Sequence, residues 1–166
     1  MRSGNYDGSR RNYFFPRMKQ PTGKRATAPA VRMGISMYLR FVVAEIDEDS
    51  ERALGVFHAV WNLRDAGNLH PYEENQHDIV RWWFDTNLER PTRFTSAKAP
   101  FWRKRNRALS WFKDTAIDHI AQIRELVAIL ENHGTHVYTL KARRVGYVVY
   151  EDEYQIVAEP FVDMKC

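Results

Sequence analysis

The feature that most constrains the fold is an apolar stripe of helical spacing, which lies between two strand-like segments. The stripe consists of Ile117, Ile120, Ile123, Val127 and Leu130. Residues that recur every three or four positions lie on one face of an α-helix, and Gly134 is a typical helix end. Residues 108–112 and 135–142, on either side, have strand-like composition. A strand, a helix and a strand in succession predict a right-handed crossover between two parallel strands.

The C-terminal segment predicts a β-hairpin. Residues 146–151 and 154–159 are rich in Tyr, Val and Ile, and they face each other across the polar pair Asp152-Glu153. A turn this short joins antiparallel strands.

The first half of the domain predicts one strand and a helix. Residues 38–46 are strand-like, and the polar run 47–50 offers capping side chains and negative charge to a helix that begins at Glu51. Gly67 ends this helix. His58 then lies on its core-facing side.

A second helix begins at Pro71, since proline is tolerated in the first turn of a helix. Its buried stripe is expected to include Ile79, Val80, Trp83 and Leu88. Pro91 prevents the helix from continuing.

These elements predict an α+β fold in the order β-α-α-β-α-β-β-β. The sheet is expected to be mixed, with four to five strands and three helices packed on it. Residues 37–166 are expected to form a single domain, which is long enough to bury a core without disulfides or metal.

The net charge of +4 is unevenly distributed along the chain. Residues 1–37 carry eight basic side chains against the single acid Asp7, whereas the remainder carries 17 basic and 20 acidic residues. We expect residues 1–36 to be a disordered basic tail, with an over-called start codon and translation from Met37 as the alternative. The high isoelectric point therefore says nothing about the folded domain.

No apolar run approaches the ~20 residues that a membrane helix needs, so no membrane partner is expected. The only cysteine is Cys166, which excludes an internal disulfide framework. We therefore expect a cytoplasmic protein.

Two segments of the chain resemble a group of small bacterial proteins with no established activity. They are the Trp111-Phe112-Lys113 turn into the third helix and the segment Gly146–Phe161. The resemblance covers roughly residues 37–163 and implies no activity, cofactor or site.

The segment 90–107 is basic and aromatic and contains no acid. Its candidate binding residues are Arg93, Phe94, Lys98, Trp102, Arg103, Lys104, Arg105 and Arg107. Cations neutralise phosphates and exposed aromatic rings stack on unpaired bases, so a nucleic acid or an acidic protein is a candidate partner. The alternative is that the aromatic rings pack onto the domain and leave a solvated rim of charge.

Trp82 and Trp83 are adjacent and therefore point about 100° apart on a helix. Both cannot lie at the centre of one buried stripe. One of them is a candidate for a partner interface or a homodimer contact, because tryptophan is enriched at binding hot spots.

Signatures of catalysis are weak throughout the sequence. Lys113 with Glu151 or Tyr150 is a conceivable catalytic pair, although nothing in the sequence places them together. The histidines lack the spacing of a metal site, with His119 expected on the polar face of its helix. No glycine pattern of a nucleotide site is present, so no metal and no cofactor are expected.

The absence of convergent motifs favours a non-enzymatic binding or regulatory module. The first alternative is an RNA- or DNA-binding protein that uses the 90–107 segment. The second is a small enzyme whose catalytic residues meet only in space.

Overall fold

The computed structural model describes residues 37–48, 50–97, 107–162 and 164, so the predicted tail 1–36 lies outside it. The strands are β1 (Tyr38–Asp47), β2 (Arg52–Gly55), β3 (Leu109–Lys113), β4 (Tyr138–Ala142), β5 (Tyr147–Glu151) and β6 (Gln155–Glu159). The helices are α1 (Val56–Asp65), α2 (Pro71–Asn87) and α3 (Ile117–Asn132). The predicted α+β class with three helices is confirmed, and the sheet has six strands where four to five were expected.

Every pairing between the described strands is antiparallel, so the prediction of a mixed sheet is wrong. Tyr38 of β1 pairs with both Lys113 of β3 and Ala142 of β4, so β1 lies between β3 and β4. Both strands are antiparallel to β1 and therefore point in the same direction. The predicted crossover through α3 thus joins two strands of like direction, but an antiparallel strand separates them.

The additional strand is β2, where the sequence predicted the start of a helix. The Asp47 carboxylate accepts hydrogen bonds from the Ser50 backbone N–H at 2.8 Å and the Ser50 hydroxyl at 2.6 Å. Asp and Ser stabilise turns by the same contacts with which they cap helices. They close a tight turn here, with Glu51 at a φ of 57°, and the helix begins only at Val56.

Strands β2 and β3 diverge from the same edge of β1. β3 pairs with β1 at Tyr38 and Leu39, whereas β2 pairs with it from Val42 onward. Between Val42 and Ile46 a bulge shifts the register, and bulges bend a strand and increase its twist. The fork between β2 and β3, which begins between Leu39 and Val42, positions the site described below.

The sheet has a core on each face. The first core joins the three helices to the sheet through Val43, Val60, Phe84, Phe112 and Ile123, among others. The second core contains Leu109, Trp111, Val145, Ile156 and Ala158. Because alternate residues of a strand point to opposite faces, the adjacent Trp111 and Phe112 serve different cores.

Three burial predictions on the helices are wrong. Ile79 of α2 is 50% exposed and Ile117 of α3 is 73% exposed. On α2 the buried face is centred on Val80 and Phe84, and Ile79 lies about 100° from Val80 and about 140° from Phe84 in projection. His58 of α1 is exposed rather than core-facing, because α1 buries Val56 and Val60 and His58 lies about 160° from each of them in projection.

Within the described ranges, no helix has both the length and the apolar character needed to cross a bilayer.

Candidate ligand-binding cleft

A cleft opens where β2 and β3 diverge, with a cavity of about 410 Å³. This is within the range of small-molecule sites, which are typically concave, mostly apolar and supplied with a few polar groups. Its walls come from the end of β1, the first turn of α1, strand β3, the segment after α2 and β6.

The apolar walls of the cleft are mainly aromatic. Phe57 from α1 and Phe94 from the segment after α2 are 42% and 41% exposed, so both rings are accessible to solvent. Phe112 of β3 is buried and lines the interior. Phe57 is fixed by an edge-to-face contact with Phe84, with ring centroids 5.0 Å apart. An apolar molecule would therefore meet aromatic surface that water now covers.

Arg40 of β1 spans the fork. Its guanidinium donates hydrogen bonds to the Ala53 carbonyl of β2 at 2.9 Å and to the Ser110 carbonyl of β3 at 3.5 Å. It therefore bridges two strands that have diverged too far for their backbones to pair. Both acceptors are neutral, so these contacts place a positive charge in the wall of the cleft.

Asp47 contributes a negative charge to the same cleft. Burial alone would raise the pKa of Asp47. The two hydrogen bonds from Ser50 and the positive charges of His58 and Arg40 outweigh burial, and the pKa lies below its ordinary value of 3.8. The carboxylate is therefore ionised at neutral pH, and the Ser50 contacts fix its orientation.

The segment after α2 is anchored to β6 at two points. Gln155 donates its side-chain N–H to the Glu89 carbonyl at 2.7 Å. Further along the strand, the buried Glu159 carboxylate accepts from the Thr95 hydroxyl at 3.0 Å and the Ser96 hydroxyl at 2.5 Å. These contacts hold residues 88–97 against the sheet, so Phe94 has a defined place at the cleft.

The predicted basic segment is only partly described, and its described cations contact the protein itself. Arg93 donates to the Thr95 and Ser96 carbonyls, and Arg107 pairs with Glu51 at 3.3 Å. Lys98, Trp102, Arg103, Lys104 and Arg105 lie outside the described residues. Of the predicted binding residues, the structure places Phe94 in the cleft and gives Arg93 and Arg107 local roles.

No family model matches the chain. Searches of the curated proteins and of the solved structures also found no match. The resemblance to a group of small bacterial proteins therefore stays a prediction, and the cleft must be interpreted from its own residues.

The two adjacent tryptophans differ in exposure, as the helical geometry requires. Trp82 is 66% exposed, whereas Trp83 is partly buried with its ring against His119 at a centroid distance of 4.9 Å. Tyr72 and Ile79 are also exposed and lie within about 80° of Trp82 around the helix. These three residues form an outer stripe on α2 that faces away from the core.

Lys113 and Glu151 do come together, with Nζ and Oε1 2.7 Å apart. Lys113 also donates to the Asp152 carbonyl at 2.7 Å, and the Asp152 carboxylate accepts the Tyr154 and Gln155 backbone N–H groups. The cluster thus closes the β5–β6 turn. Burial and the Asp152 carboxylate raise the pKa of Tyr150 to about 12, which keeps that phenol protonated and makes it a poor base.

A cluster of one buried acid and a histidine links α2 to the end of α3. The Glu73 carboxylate accepts from the His70 backbone N–H at 3.0 Å and lies 2.8 Å from His133 Nε2. Burial alone would raise the pKa of Glu73, but hydrogen bonds from His70, His133 and Tyr72 lower it to about 2. With His70 at the N-cap, Glu73 completes a capping box, so this pair has a structural role.

His119 is buried rather than solvent-facing, which corrects the prediction for α3. Its ring stacks on Tyr154 at 4.3 Å, and Nε2 lies 3.2 Å from the Asn87 carbonyl. The aromatic pocket formed with Trp83 favours a packed histidine. Among the described residues, no group of three or more His, Cys, Asp or Glu side chains is arranged to hold a metal ion.

Sequence patterns alone did not identify Arg40, Asp47 or Phe57 as parts of one site. The signal for Arg40 was a charged residue within the otherwise apolar strand Leu39–Val43. The signal for Asp47 was its spacing from Ser50, which suits a turn as well as a helix cap.

Proposed function

We propose that the domain is a non-enzymatic module that binds a small organic ligand in the cleft between β2 and β3. The observation that carries the proposal is the combination of exposed aromatic walls with fixed opposite charges in one cavity. A largely apolar cavity with a few oriented polar groups is the usual form of a small-molecule site. The residues assigned to the ligand are Arg40, Asp47, Phe57, Phe94 and Phe112.

The position of the cleft supports a regulatory role. Its walls join β1, β2, β3, α1 and the segment after α2, so a ligand would contact elements that otherwise meet only through the core. A ligand that binds only the folded state stabilises it. Ligand binding would therefore hold residues 88–97 more firmly against the sheet.

The experiment is a thermal-shift screen of the full chain against small charged and uncharged aromatic and aliphatic fragments. Hits should raise the melting temperature of wild-type protein and lose most of that effect in Phe94→Ala. Tyr138→Ala is the matched control, because Tyr138 is an exposed aromatic residue on β4 that does not line the cleft. A screen without hits, or hits that Phe94→Ala binds as well as wild type, would contradict the proposal.

The outer stripe of α2 favours a second candidate function, self-association. The acids Asp78 and Asp85 beside the stripe are neutralised by ion pairs, Asp78 with Arg64 and Asp85 with Arg90. A neutral border neither repels a second copy nor selects a strongly charged partner. Most soluble oligomers are homo-oligomers with a self-complementary interface, so we take a second copy of the chain as the occupant.

Nucleic-acid binding, binding of an acidic protein and dispersed catalysis remain alternatives from the sequence. The nucleic-acid alternative rests on Arg103, Lys104 and Arg105, and replacing all three with alanine should weaken binding and flatten its salt dependence. The assay needs the chain without residues 1–36, because the basic tail would bind nucleic acid by itself. If that trimmed wild-type chain shows no salt-dependent binding, this alternative is excluded.

A further inference from the structure

We infer that the cleft between β2 and β3 takes a small zwitterion with an apolar side chain, which is the chemistry of a free α-amino acid. This inference rests on the proposed function, because it names the ligand class of the same site.

The charges in the cleft are opposite and belong to different functional groups. Arg40 presents a guanidinium, which matches the planar geometry of a carboxylate. Asp47 presents an ionised carboxylate, which accepts hydrogen bonds from an ammonium group. Among the described residues of the wall, His58 is the remaining titratable one. A ligand with only one charge would attract one of these groups and remove water from the other at a cost.

Asp47 and Arg40 are close enough to act on one small molecule. Both line the same cavity, and the charge of Arg40 contributes to the lowered pKa of Asp47. An α-amino acid carries its two charges on groups attached to the same carbon atom, so it can contact both Arg40 and Asp47 while remaining neutral overall. Phosphate esters and dicarboxylates would instead bring excess negative charge next to Asp47.

The remaining walls select an apolar side chain. Phe57, Phe94 and Phe112 lie on three different elements around the cavity, and two of these rings are exposed without a ligand. A volume of about 410 Å³ lies near the lower end of the range for ligand sites. It therefore suits a single amino acid better than a nucleotide or a folded peptide.

The test is isothermal titration of the full chain with four probes. L-phenylalanine and L-leucine carry both charges, 3-phenylpropionate lacks the ammonium group, and phenethylamine lacks the carboxylate. We expect both amino acids to bind and each single-charge analogue to bind at least about tenfold more weakly than L-phenylalanine, since a hydrogen bond to a charged group is worth that much or more.

Two charge variants test which residue binds which end of the ligand. Asp47→Asn keeps a side-chain oxygen for Ser50 but removes the charge. It should weaken the binding of L-phenylalanine about tenfold or more without weakening the binding of 3-phenylpropionate. Arg40→Gln should weaken both carboxylate ligands and spare phenethylamine. Circular dichroism must show that Arg40→Gln is folded, and Asp47→Asn provides the independent test if it is not.

The outcomes distinguish an error in the ligand class from an error in the assignment of the cleft as a binding site. Equal binding of 3-phenylpropionate and L-phenylalanine would overturn the zwitterion and indicate an anion site, and equal binding of phenethylamine would indicate a cation site. If none of the four probes binds while cleft-dependent hits emerge from the fragment screen, the ligand class is wrong and the proposed function stands. If the screen also finds nothing, both are wrong.

Discussion

The Glu159 carboxylate of β6 accepts a hydrogen bond from the Ser96 backbone N–H at 3.1 Å, across 63 residues of sequence. Glu159 is buried, and it also accepts hydrogen bonds from the Thr95 and Ser96 hydroxyls. The segment that follows α2 is thus attached to β6 through this carboxylate. This contact explains why a basic, patternless segment contributes an ordered aromatic ring, Phe94, to the cleft.

Replacing this carboxylate should loosen the segment. In Glu159→Gln, the charge-assisted hydrogen bonds to Thr95 and Ser96 become neutral and one side-chain oxygen becomes a donor. We expect amide hydrogen exchange at Ser96 to accelerate about tenfold or more, since a hydrogen bond to a charged group is worth about 1.5–3 kcal/mol. Glu151→Gln on β5 is the control, because its partner is Lys113. Equal exchange at Ser96 in wild type and Glu159→Gln would contradict this role.

Gly146 should tolerate no side chain. Its φ is +121°, and an added Cβ would lie 2.0 Å from the Glu159 carbonyl oxygen. We expect Gly146→Ala to lower the free energy of unfolding by about 3–5 kcal/mol, as overpacking and backbone strain combine. Gly67→Ala is the matched control, since Gly67 also has a positive φ but open space around it, and it should cost only about 1 kcal/mol. Urea unfolding measures both, and similar losses would show that local crowding at Gly146 is not the cause.

Lowering the pH should remove the contribution of Glu73 to the stability of the fold. Its folded-state pKa is about 2 against an ordinary value of 4.5. A lowered pKa stabilises the fold above the ordinary value, and this stabilisation is lost as the pH falls toward the folded-state value. Glu73→Gln should therefore be less stable than wild type by about 1–3 kcal/mol at pH 7. The difference should shrink between about pH 4.5 and 2.

The exposed neighbour Glu74 is the control for this effect, because Glu74→Gln removes the same charge from the same helical turn. Its stability should stay close to that of wild type across the pH range. Chemical unfolding followed by tryptophan fluorescence at several pH values measures both variants. A Glu73→Gln deficit that persists unchanged at pH 2 would contradict the assignment.

Self-association should depend on Trp82. We expect the full chain to show a concentration-dependent increase in mass toward a dimer in sedimentation equilibrium. Trp82→Ala should remain monomeric at the same concentrations, because truncating an interface tryptophan commonly costs more than 2 kcal/mol. Val148→Ala on β5 is the control for loss of an exposed apolar side chain. Wild-type protein that stays monomeric throughout would exclude this candidate.

The long periodic elements could be predicted from sequence because local and tertiary signals agree there. The helix centred on Ile123 and the terminal hairpin both combine regular apolar spacing with clear turn residues. The segment 52–55 could not be assigned, since its four residues are too few to show a strand period. Asp47 and Ser50 there make contacts that are common to helix caps and turns.

The candidate cleft was not predictable for a related reason. Arg40 and Phe57 line one cleft because β3 and β2 pair with successive stretches of β1, and such a change of pairing partner leaves no distinctive local pattern. Phe94 was singled out for its basic surroundings, but its position depends on Glu159, far away in sequence. Sequence spacing can indicate which side chains are chemically capable, whereas the strand register decides which of them meet.

The most direct test of the account is a ¹H–¹⁵N NMR titration of the full chain with L-phenylalanine. We expect saturable shifts for the backbone amides of Phe57, His58 and Ser110, which line the cleft. The amides of Ile79 and Trp82 on the outer stripe of α2 should not move. A spectrum without saturable shifts would contradict the amino-acid ligand, and saturable shifts confined to the outer stripe would contradict the assignment of the cleft as the binding site.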